Sequence, residues 1–238
     1  MSLLAPPAVT CLFLCDFDGT IIPQDVSDAL LGRFALPEWH DIETAWREGR
    51  LTARECMQQQ VSLLRVEHGQ LDAFLDQVEM DPDFPEFVRQ VSARGWQLRV
   101  VSDGLDYAIW RIFRRYGLTQ LPVFANHLQL LDTDRYQLSF PHQESACRSG
   151  SGTCKCAVAE KSLGESVVPI LLGDGSSDYC LAHQVRQVWA KDRLLRYCQQ
   201  QGLPHWPFTG FAEAVRRLQG REWLSELVNN GQNAQGRE

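Results

Sequence analysis

Two carboxylates one residue apart, Asp16 and Asp18, directly follow the apolar stretch 11–15. The apolar stretch predicts a buried strand, and alternate residues of an extended chain point the same way. Both carboxylates would then converge at the carboxyl end of the strand, where open α/β sheets bind ligands. Clustered carboxylates repel each other unless a cation or a proton lies between them, and carboxylate oxygens suit Mg²⁺. The alternative interpretation is an ordinary polar turn.

Two later polar segments also lie directly after predicted strands. Ser102-Asp103-Gly104 follows a predicted strand at 97–101, and Gly173-Asp174-Gly175-Ser176-Ser177-Asp178 follows the apolar run 167–172. Lys155 lies on a short predicted helix between them. Taken singly, the serine is typical of a turn and the lysine of a solvated helix face. Because parallel strands end at one edge of a sheet, we expect all these side chains to gather there.

The order of the remaining elements indicates an α/β fold. Strands predicted at 11–15, 97–101, 122–125, 167–172 and 187–190 alternate with helices at about 85–94, 105–116, 154–163, 191–201 and 210–219, and 128–140 has the alternation of a hairpin. This alternation predicts a doubly wound parallel sheet, a Rossmann-like core with helices on both faces.

Residues 25–80 show helical spacing of apolar residues and no strand pattern. Helices are predicted near 25–34, 38–48, 52–65 and 70–79, and Thr52 with Glu55 matches a capping box. We therefore predict a small all-helical cap at 23–80, inserted after the first strand, and a catalytic core formed by 1–22 and 81–228. The polar tail 229–238 is predicted to be disordered.

Composition limits the partners of this 238-residue chain. Its formal net charge of −7 argues against a nucleic-acid partner. No apolar run approaches the roughly 20 residues that a bilayer requires, and no basic residue precedes the first apolar stretch. We therefore expect no membrane contact, a cytoplasmic location, and a monomer or homodimer.

The chain has eight cysteines, which we interpret as reduced thiols. Five lie in apolar patterns and are predicted core residues: Cys11, Cys15, Cys56, Cys180 and Cys198. The other three, Cys147, Cys154 and Cys156, fall in a Gly/Ser-rich stretch and could hold zinc, although the sequence shows no evident fourth ligand.

Taken in order, Asp-x-Asp-Gly-Thr, a strand-terminal Ser, a Lys and Gly-Asp-Gly-x-x-Asp resemble the haloacid dehalogenase superfamily of phosphatases over about residues 10–225. The resemblance implies Mg²⁺-dependent hydrolysis of a small phosphorylated metabolite through an aspartyl-phosphate. Asp16 would be the nucleophile, and Asp18 would protonate the leaving alkoxide and later activate water. Ser102 would bind a phosphoryl oxygen, and Lys155 would neutralise charge.

The same resemblance implies the ligands of the metal. Asp16, Asp174 and the backbone carbonyl of Asp18 would hold Mg²⁺, and Asp178 would either ligate it or support it.

Two groups within the superfamily are similar to this chain. The phosphoserine phosphatase group implies that Asp25 binds a substrate amine. That group has a carboxylate-binding arginine where Gln60 stands here, and Arg54 or Arg65 could replace it. Asp103 and Gly104 are further predicted substrate-binding residues.

The methionine-salvage phosphatases, which act on hydroxy-keto-methylthiopentenyl phosphate, are more similar. The shared features are the stretch from Cys15 to Ile21, Cys154-Lys155 after a cysteine-rich loop, and Val188-Trp189-Ala190-Lys191-Asp192. This chain has Ser-Asp-Gly at 102–104 where that group usually has Ser-Gly-Gly. The alternatives are a phosphoserine phosphatase, a phosphotransferase that uses an alcohol as acceptor, and a non-catalytic relative that binds a phosphorylated ligand.

Overall fold

Within the residues described by the computed structural model, 10–164, 167–220 and 223–224, seven strands form one sheet. They are β1 (Thr10–Cys15), β2 (Gln97–Leu105), β3 (Val123–Asp132), β4 (Arg135–Ser139), β5 (Val167–Gly173), β6 (Gln187–Ala190) and β7 (His205–Pro207). The order across the sheet is β4-β3-β2-β1-β5-β6-β7. Only β3 and β4 pair antiparallel, and every other neighbouring pair is parallel.

Ten α-helices accompany the sheet in the described part of the chain. They are α1 (Val26–Phe34), α2 (Trp39–Arg47), α3 (Ala53–Ser62), α4 (His68–Leu75), α5 (Phe84–Ala93), α6 (Asp106–Arg115), α7 (Lys155–Glu160), α8 (Tyr179–Ala182), α9 (Asp192–Gln201) and α10 (Phe211–Gln219). The first four, which we call the helical insertion, all lie between β1 and β2 in the chain.

The side chains of β1 show why the sheet is covered on both faces. Cys11, Phe13 and Cys15 belong to one apolar cluster, together with residues of α5, α6 and α10. Leu12 and Leu14 belong to another cluster, together with residues of α7, α8 and α9. Successive strand residues point to opposite faces, so an uninterrupted apolar strand requires helices on both. The predicted doubly wound α/β fold is confirmed, while the division into a core and a cap domain stays a prediction.

Several local predictions need correction. Ser102-Asp103-Gly104 lies inside β2, because that strand pairs with β3 again at Leu105 after a shift in register. The predicted strand at 122–125 and the first arm of the hairpin are one strand, β3. Strand β7, a three-residue edge strand that ends in Pro207, was not predicted, because proline argues against a strand. Helix α4 ends at Leu75, earlier than predicted.

Two further predictions concern single residues and the tail. Cys180 is half-buried rather than part of the core, since the single turn of α8 buries Leu181 and Ala182 instead. The predicted disordered tail at 229–238 lies outside the described residues. No helix in the described ranges combines the length and the apolarity needed to cross a membrane.

Candidate active site

The central pair of strands brings Asp16 and Asp174 together. In the parallel pairing of β1 with β5, Cys15 lies opposite Leu172, and the Asp16 amide donates to the Leu172 carbonyl at 2.9 Å. Asp16 and Asp174 therefore leave the sheet side by side. Gly19, at a φ of +69°, turns the chain away, and a side chain there would collide with the Asp174 carboxylate.

Lys155 joins this pair to Asp178. Its Nζ lies 2.7 Å from Asp16 Oδ2 and 2.6 Å from Asp178 Oδ1, and only 3% of its side chain is exposed. Burial alone would lower the pKa of Lys155, but the charges of Asp16 and Asp178 outweigh it and raise that pKa. The ammonium is therefore held in its charged form between two carboxylates.

Asp16, Asp174 and Asp178 form what we call the carboxylate floor. Each offers one oxygen, and these oxygens all lie within 4.8 Å of one another. Burial is the largest cause that raises the pKa of Asp174, and it raises that of Asp178 to about 7. Three carboxylates exceed the single charge of Lys155, and all the donors are oxygens, so the floor fits Mg²⁺.

Hydroxyl groups on two loops support the floor. Thr20 Oγ1 donates to Asp174 Oδ1 at 2.9 Å, and Ser177 Oγ lies 3.5 Å from Asp16 Oδ2. Neither hydroxyl was predicted to have a role, although Thr20 lies in the Asp-x-Asp-Gly-Thr motif and Ser177 in the Gly-Asp-Gly-x-x-Asp motif.

Asp18 has a different setting from the floor. Its Oδ1 accepts the Val26 amide at 2.9 Å, and its side chain is not part of the group of three. Burial first, and then the charge of Asp25, raise its pKa well above the usual range for Asp. The raised pKa favours the protonated form of this carboxyl, which is the form that a general acid needs. Metal ligation by the Asp18 backbone carbonyl stays a prediction.

Ser102 and Gly104, near the end of β2, lie close to the Asp18 carboxyl. Ser102 is buried, and its Oγ accepts the Gly104 amide at 3.0 Å. A Cβ at Gly104 would lie 2.6 Å from Asp18 Oδ2, so glycine leaves the space that this carboxyl occupies. Ser102 and Gly104 both line the cavity above the floor, and their contact with a substrate stays a prediction.

Asp103 also lines the cavity, but its carboxylate is engaged with the loop that leads to Lys155. Its Oδ1 accepts Asn126 Nδ2 at 3.0 Å and the Thr153 amide at 2.9 Å. Thr153 Oγ1 in turn donates to Asn126 Oδ1 at 3.1 Å. Asn126, a fully buried amide in a mostly apolar strand, was not predicted to be a site residue. A polar residue within an apolar stretch could have indicated it, because a buried polar group needs hydrogen-bond partners.

A cavity of about 1030 Å³ lies between the carboxylate floor and helices α1–α3. Helices α1 and α2 and the N-cap of α1 contribute three carboxylates to its lining, which we call the acidic wall: Asp25, Asp28 and Glu43. Asp25 accepts the Asp28 amide at 2.9 Å and caps α1. Gln60 also lines the cavity, and its Nε2 donates to Glu43 Oε2 at 3.1 Å.

Two sets of contacts hold the helical insertion over the strand ends. Arg111 of α6 binds Asp72 at 3.0 Å and Asp76 at 2.6 Å. On α3, the Arg54 amide donates to the Gly150 carbonyl at 3.0 Å, and Arg54 Nη1 donates to Gln143 at 2.9 Å. Arg54 is therefore engaged with the loop before Lys155.

The cysteine-rich loop offers no metal centre. In the described ranges, the carboxylate floor is the group of at least three His, Cys, Asp or Glu residues whose ligand atoms converge within 4.8 Å. Cys147, Cys154 and Cys156 do not form one. Cys147 Sγ instead lies 3.2 Å from Ser149 Oγ, so the zinc interpretation loses its support.

Comparison with protein families identifies the class. Residues 13–183 match the family described as haloacid dehalogenase-like hydrolase, and the matched range contains the carboxylate floor, Asp18, Ser102 and Lys155. The chain belongs to this family.

Within the family, several similar curated proteins carry one name, 2-hydroxy-3-keto-5-methylthiopentenyl-1-phosphate phosphatase. The protein of that name from Geobacillus thermodenitrificans is 31% identical over 218 residues, 90% of this chain and 98% of the relative. The one from Exiguobacterium sp. is 29% identical over 210 residues, 87% and 96% of the two chains.

Solved structures agree on the fold. A substrate-bound phosphoserine phosphatase complex superposes with a TM-score of 0.64 at 20% identity, covering 87% of this chain and 98% of the other. A phospho-aspartyl intermediate analogue of phosphoserine phosphatase gives the same values.

Proposed function

We propose that this chain is a Mg²⁺-dependent phosphomonoesterase that works through an aspartyl-phosphate on Asp16. The observation that carries the proposal is the contact of Lys155 Nζ with Asp16 Oδ2 at 2.7 Å, at the base of an open cavity. The contact places an ammonium beside the carboxylate oxygens that we propose as the nucleophile. Asp174 and Asp178 complete a set of oxygen donors for the metal. When bound, Mg²⁺ offsets the negative charge of the floor and of the phosphoryl oxygens.

The first half-reaction uses Asp16 and Asp18. An Asp16 oxygen attacks phosphorus, and the bond from phosphorus to the leaving oxygen breaks. Asp18, whose raised pKa favours its protonated form, donates that proton to the leaving oxygen, so an alcohol departs. Lys155 and the Ser102 hydroxyl stabilise the charge on the phosphoryl oxygens during the transfer.

The second half-reaction reverses the role of Asp18. Its carboxylate takes a proton from water, and the resulting hydroxide attacks phosphorus. The bond to Asp16 breaks, which releases inorganic phosphate and restores the Asp16 carboxylate. Asp18 is then protonated again and ready for the next substrate.

We infer that the substrate is the methionine-salvage intermediate 2-hydroxy-3-keto-5-methylthiopentenyl-1-phosphate or a close analogue, as the names of the relatives indicate. The lining of the cavity supports this inference. Leu31, Met57, Val61 and Leu64 offer an apolar surface opposite the floor, and Met is an adaptable partner for a thioether chain. A soluble metabolite of this kind fits an enzyme of the cytoplasm.

The test is phosphate release from a panel of phosphorylated metabolites, with Mg²⁺ and with EDTA. We expect hydrolysis of the methionine-salvage intermediate, loss of activity in EDTA and recovery on addition of Mg²⁺. Full activity without a divalent metal would contradict the proposal. Adding acceptor alcohols separates hydrolysis from phosphotransfer, because a phosphotransferase would form new phosphate esters from the same intermediate.

Phosphoserine is the second candidate substrate, because Asp25 lines the cavity where an amine-binding carboxylate is expected. Against it, Gln60 stands at the position of the carboxylate-binding arginine, and a lost charge-assisted hydrogen bond is worth about 1.5–3 kcal/mol. The panel decides between the two substrates. Phosphoserine turnover above that of every neutral phosphate ester would favour the second.

A further inference from the structure

The amide of Gln60 is already engaged inside the cavity. Gln60 is only 4% exposed, and its Nε2 donates to Glu43 Oε2 at 3.1 Å. The two residues lie on neighbouring helices, α2 and α3. An unpaired arginine at position 60 would bind a substrate carboxylate through its guanidinium. This chain instead has the Gln60 amide there, and that amide donates to the carboxylate of Glu43.

Glu43 is held from two sides and kept largely out of water. Its Oε1 accepts Arg47 Nε at 3.0 Å, and 16% of its side chain is exposed. Burial, and after it the charge of Glu43, raise the pKa of Asp28. Glu43 therefore faces the cavity as a fixed negative charge, and Asp28 responds to that charge.

The charges that α1–α3 contribute to the lining are mainly negative. The negative residues are Asp25, Asp28 and Glu43, and the positive one is Arg47. Arg47 is paired with Glu43, and 72% of its side chain is exposed. The other arginine of the lining, Arg193, belongs to α9 of the sheet region rather than to the insertion. A substrate group that reaches α2 and α3 thus meets an acidic surface.

We propose that Glu43, fixed by Gln60 and Arg47, is a specificity-determining residue that makes the acidic wall reject phosphate monoesters bearing a carboxylate at the end away from the phosphate. The proposal rests on the proposed phosphatase function. The accepted substrates are then phosphate monoesters whose end away from the phosphate is neutral or cationic. A carboxylate at that end would lack its guanidinium and would also be repelled by Glu43, because like charges brought together across an interface are unfavourable.

The contact between Glu43 and Gln60 limits the expected effect of Gln60→Arg on substrate binding. The new guanidinium would lie within reach of Glu43 and would pair with it, because Arg and a carboxylate form a strong bidentate contact. It would then be unavailable to a substrate carboxylate. Removal of the Glu43 charge should be needed before an arginine at position 60 can bind one.

The test uses two esters that differ by one carboxylate, phosphoethanolamine and phosphoserine. The readout is kcat/KM for phosphoethanolamine divided by kcat/KM for phosphoserine. This ratio is measured in wild type, Glu43→Gln, Gln60→Arg and the double variant. Glu48→Gln is the matched control, because Glu48 also pairs with an arginine, Arg50, but is half-exposed and lies outside the cavity lining.

We expect wild type to prefer phosphoethanolamine, and Glu43→Gln to reduce the ratio by about tenfold, mainly through a lower KM for phosphoserine. Gln60→Arg alone should change the ratio by less than the Glu43 variant does. The double variant should give the largest change, of roughly 10- to 150-fold beyond Glu43→Gln. Glu48→Gln should keep the wild-type ratio.

Three results would overturn the proposal: a wild-type preference for phosphoserine, an unchanged ratio in Glu43→Gln, or an effect of Gln60→Arg alone that equals the double variant. Hydrolysis of p-nitrophenyl phosphate tests the proposed function separately. If that fails, calorimetric binding of the two esters to the same variants in an Asp16→Asn background still gives the ratio. Thermal melts confirm that each variant is folded.

Discussion

The two acidic regions of the cavity have similar residues but opposite settings. The carboxylate floor lies at the strand ends, with Asp16 and Asp178 exposing 8% and 0% of their side chains around a buried Lys155. The acidic wall lies on helices, and Arg47, the cation that pairs with Glu43, is 72% exposed. Water therefore screens Arg47 and limits what this pair contributes, whereas the buried charges of the floor depend on one ammonium.

This difference in burial suits the floor to the chemical step and the wall to the choice of substrate. A buried charge without a partner is costly, so each member of the floor constrains the others and few substitutions can be tolerated. An exposed carboxylate costs little and can change with the substrate. The following predictions compare the two regions, from the largest expected effect to the smallest.

Asp16→Asn should remove turnover while the fold is kept. Asparagine has the same shape but no nucleophilic carboxylate oxygen, so we expect phosphate release to fall by at least about a thousandfold. Circular dichroism should be unchanged. Its counterpart on the wall, Asp28→Asn, should cause a much smaller loss on a small ester. If Asp16→Asn keeps more than about a tenth of the wild-type rate, a loss below roughly 1.4 kcal/mol, Asp16 is not the nucleophile.

Lys155→Met should destabilise the protein strongly. Its removal leaves Asp16 and Asp178 buried without their cation, and breaking such a pair costs about 3–5 kcal/mol. Arg47→Gln, which removes the exposed partner of Glu43 while Gln60 still holds that carboxylate, should cost less than about 1 kcal/mol. Denaturant unfolding in EDTA measures both. Equal losses for the two variants would remove the distinction between floor and wall.

Mg²⁺ should raise the Tm more at about pH 8 than at about pH 6. The pKa of Asp178 is raised to about 7, above its unfolded value. The folded protein therefore binds more protons than the unfolded chain from about pH 4 to about pH 7, and the free energy of unfolding falls as pH rises through that window. The cation offsets this loss where the floor is ionised. An equal gain in Tm at both pH values would contradict the assignment.

The grouping of the floor could be predicted from the sequence because strand ends are predictable. Asp16 and Asp174 each follow a continuous apolar run, and parallel strands place their carboxyl ends at one edge. The described structure brings Lys155 and Asp178 to the same point. The catalytic roles of these residues stay predictions, since geometry alone does not test them.

The wall could not be predicted in the same way. Glu43 and Gln60 are 17 residues apart, and they meet only because α2 packs against α3. Helical periodicity indicates which face of each helix is buried, but it does not fix how one helix is positioned along another. The same limit explains why Asn126 was missed, because its partners lie on β2 and on the loop before Lys155.

The smallest effect concerns a feature of the insertion that the sequence did reveal, the capping box of α3. Thr52 Oγ1 accepts the Glu55 amide at 3.2 Å, and the Glu55 carboxylate accepts the Thr52 amide at 2.8 Å. Thr52→Ala removes one of these bonds and should cost about 1 kcal/mol of stability. Because α3 carries Gln60, any local fraying at its first turn should raise KM for the natural ester more than it lowers kcat.

Thr52→Ser is the matched control for the cap, because it keeps the hydroxyl and removes only the methyl group. The control matters because Thr52 also touches the loop before Lys155, where a Cβ at Gly150 would lie 2.9 Å from the Thr52 Cβ. If the serine variant is as unstable as the alanine variant, packing against that loop, rather than the cap, stabilises α3. If only the alanine variant loses stability and kcat is unchanged in both, the first turn of α3 tolerates local change that the floor does not.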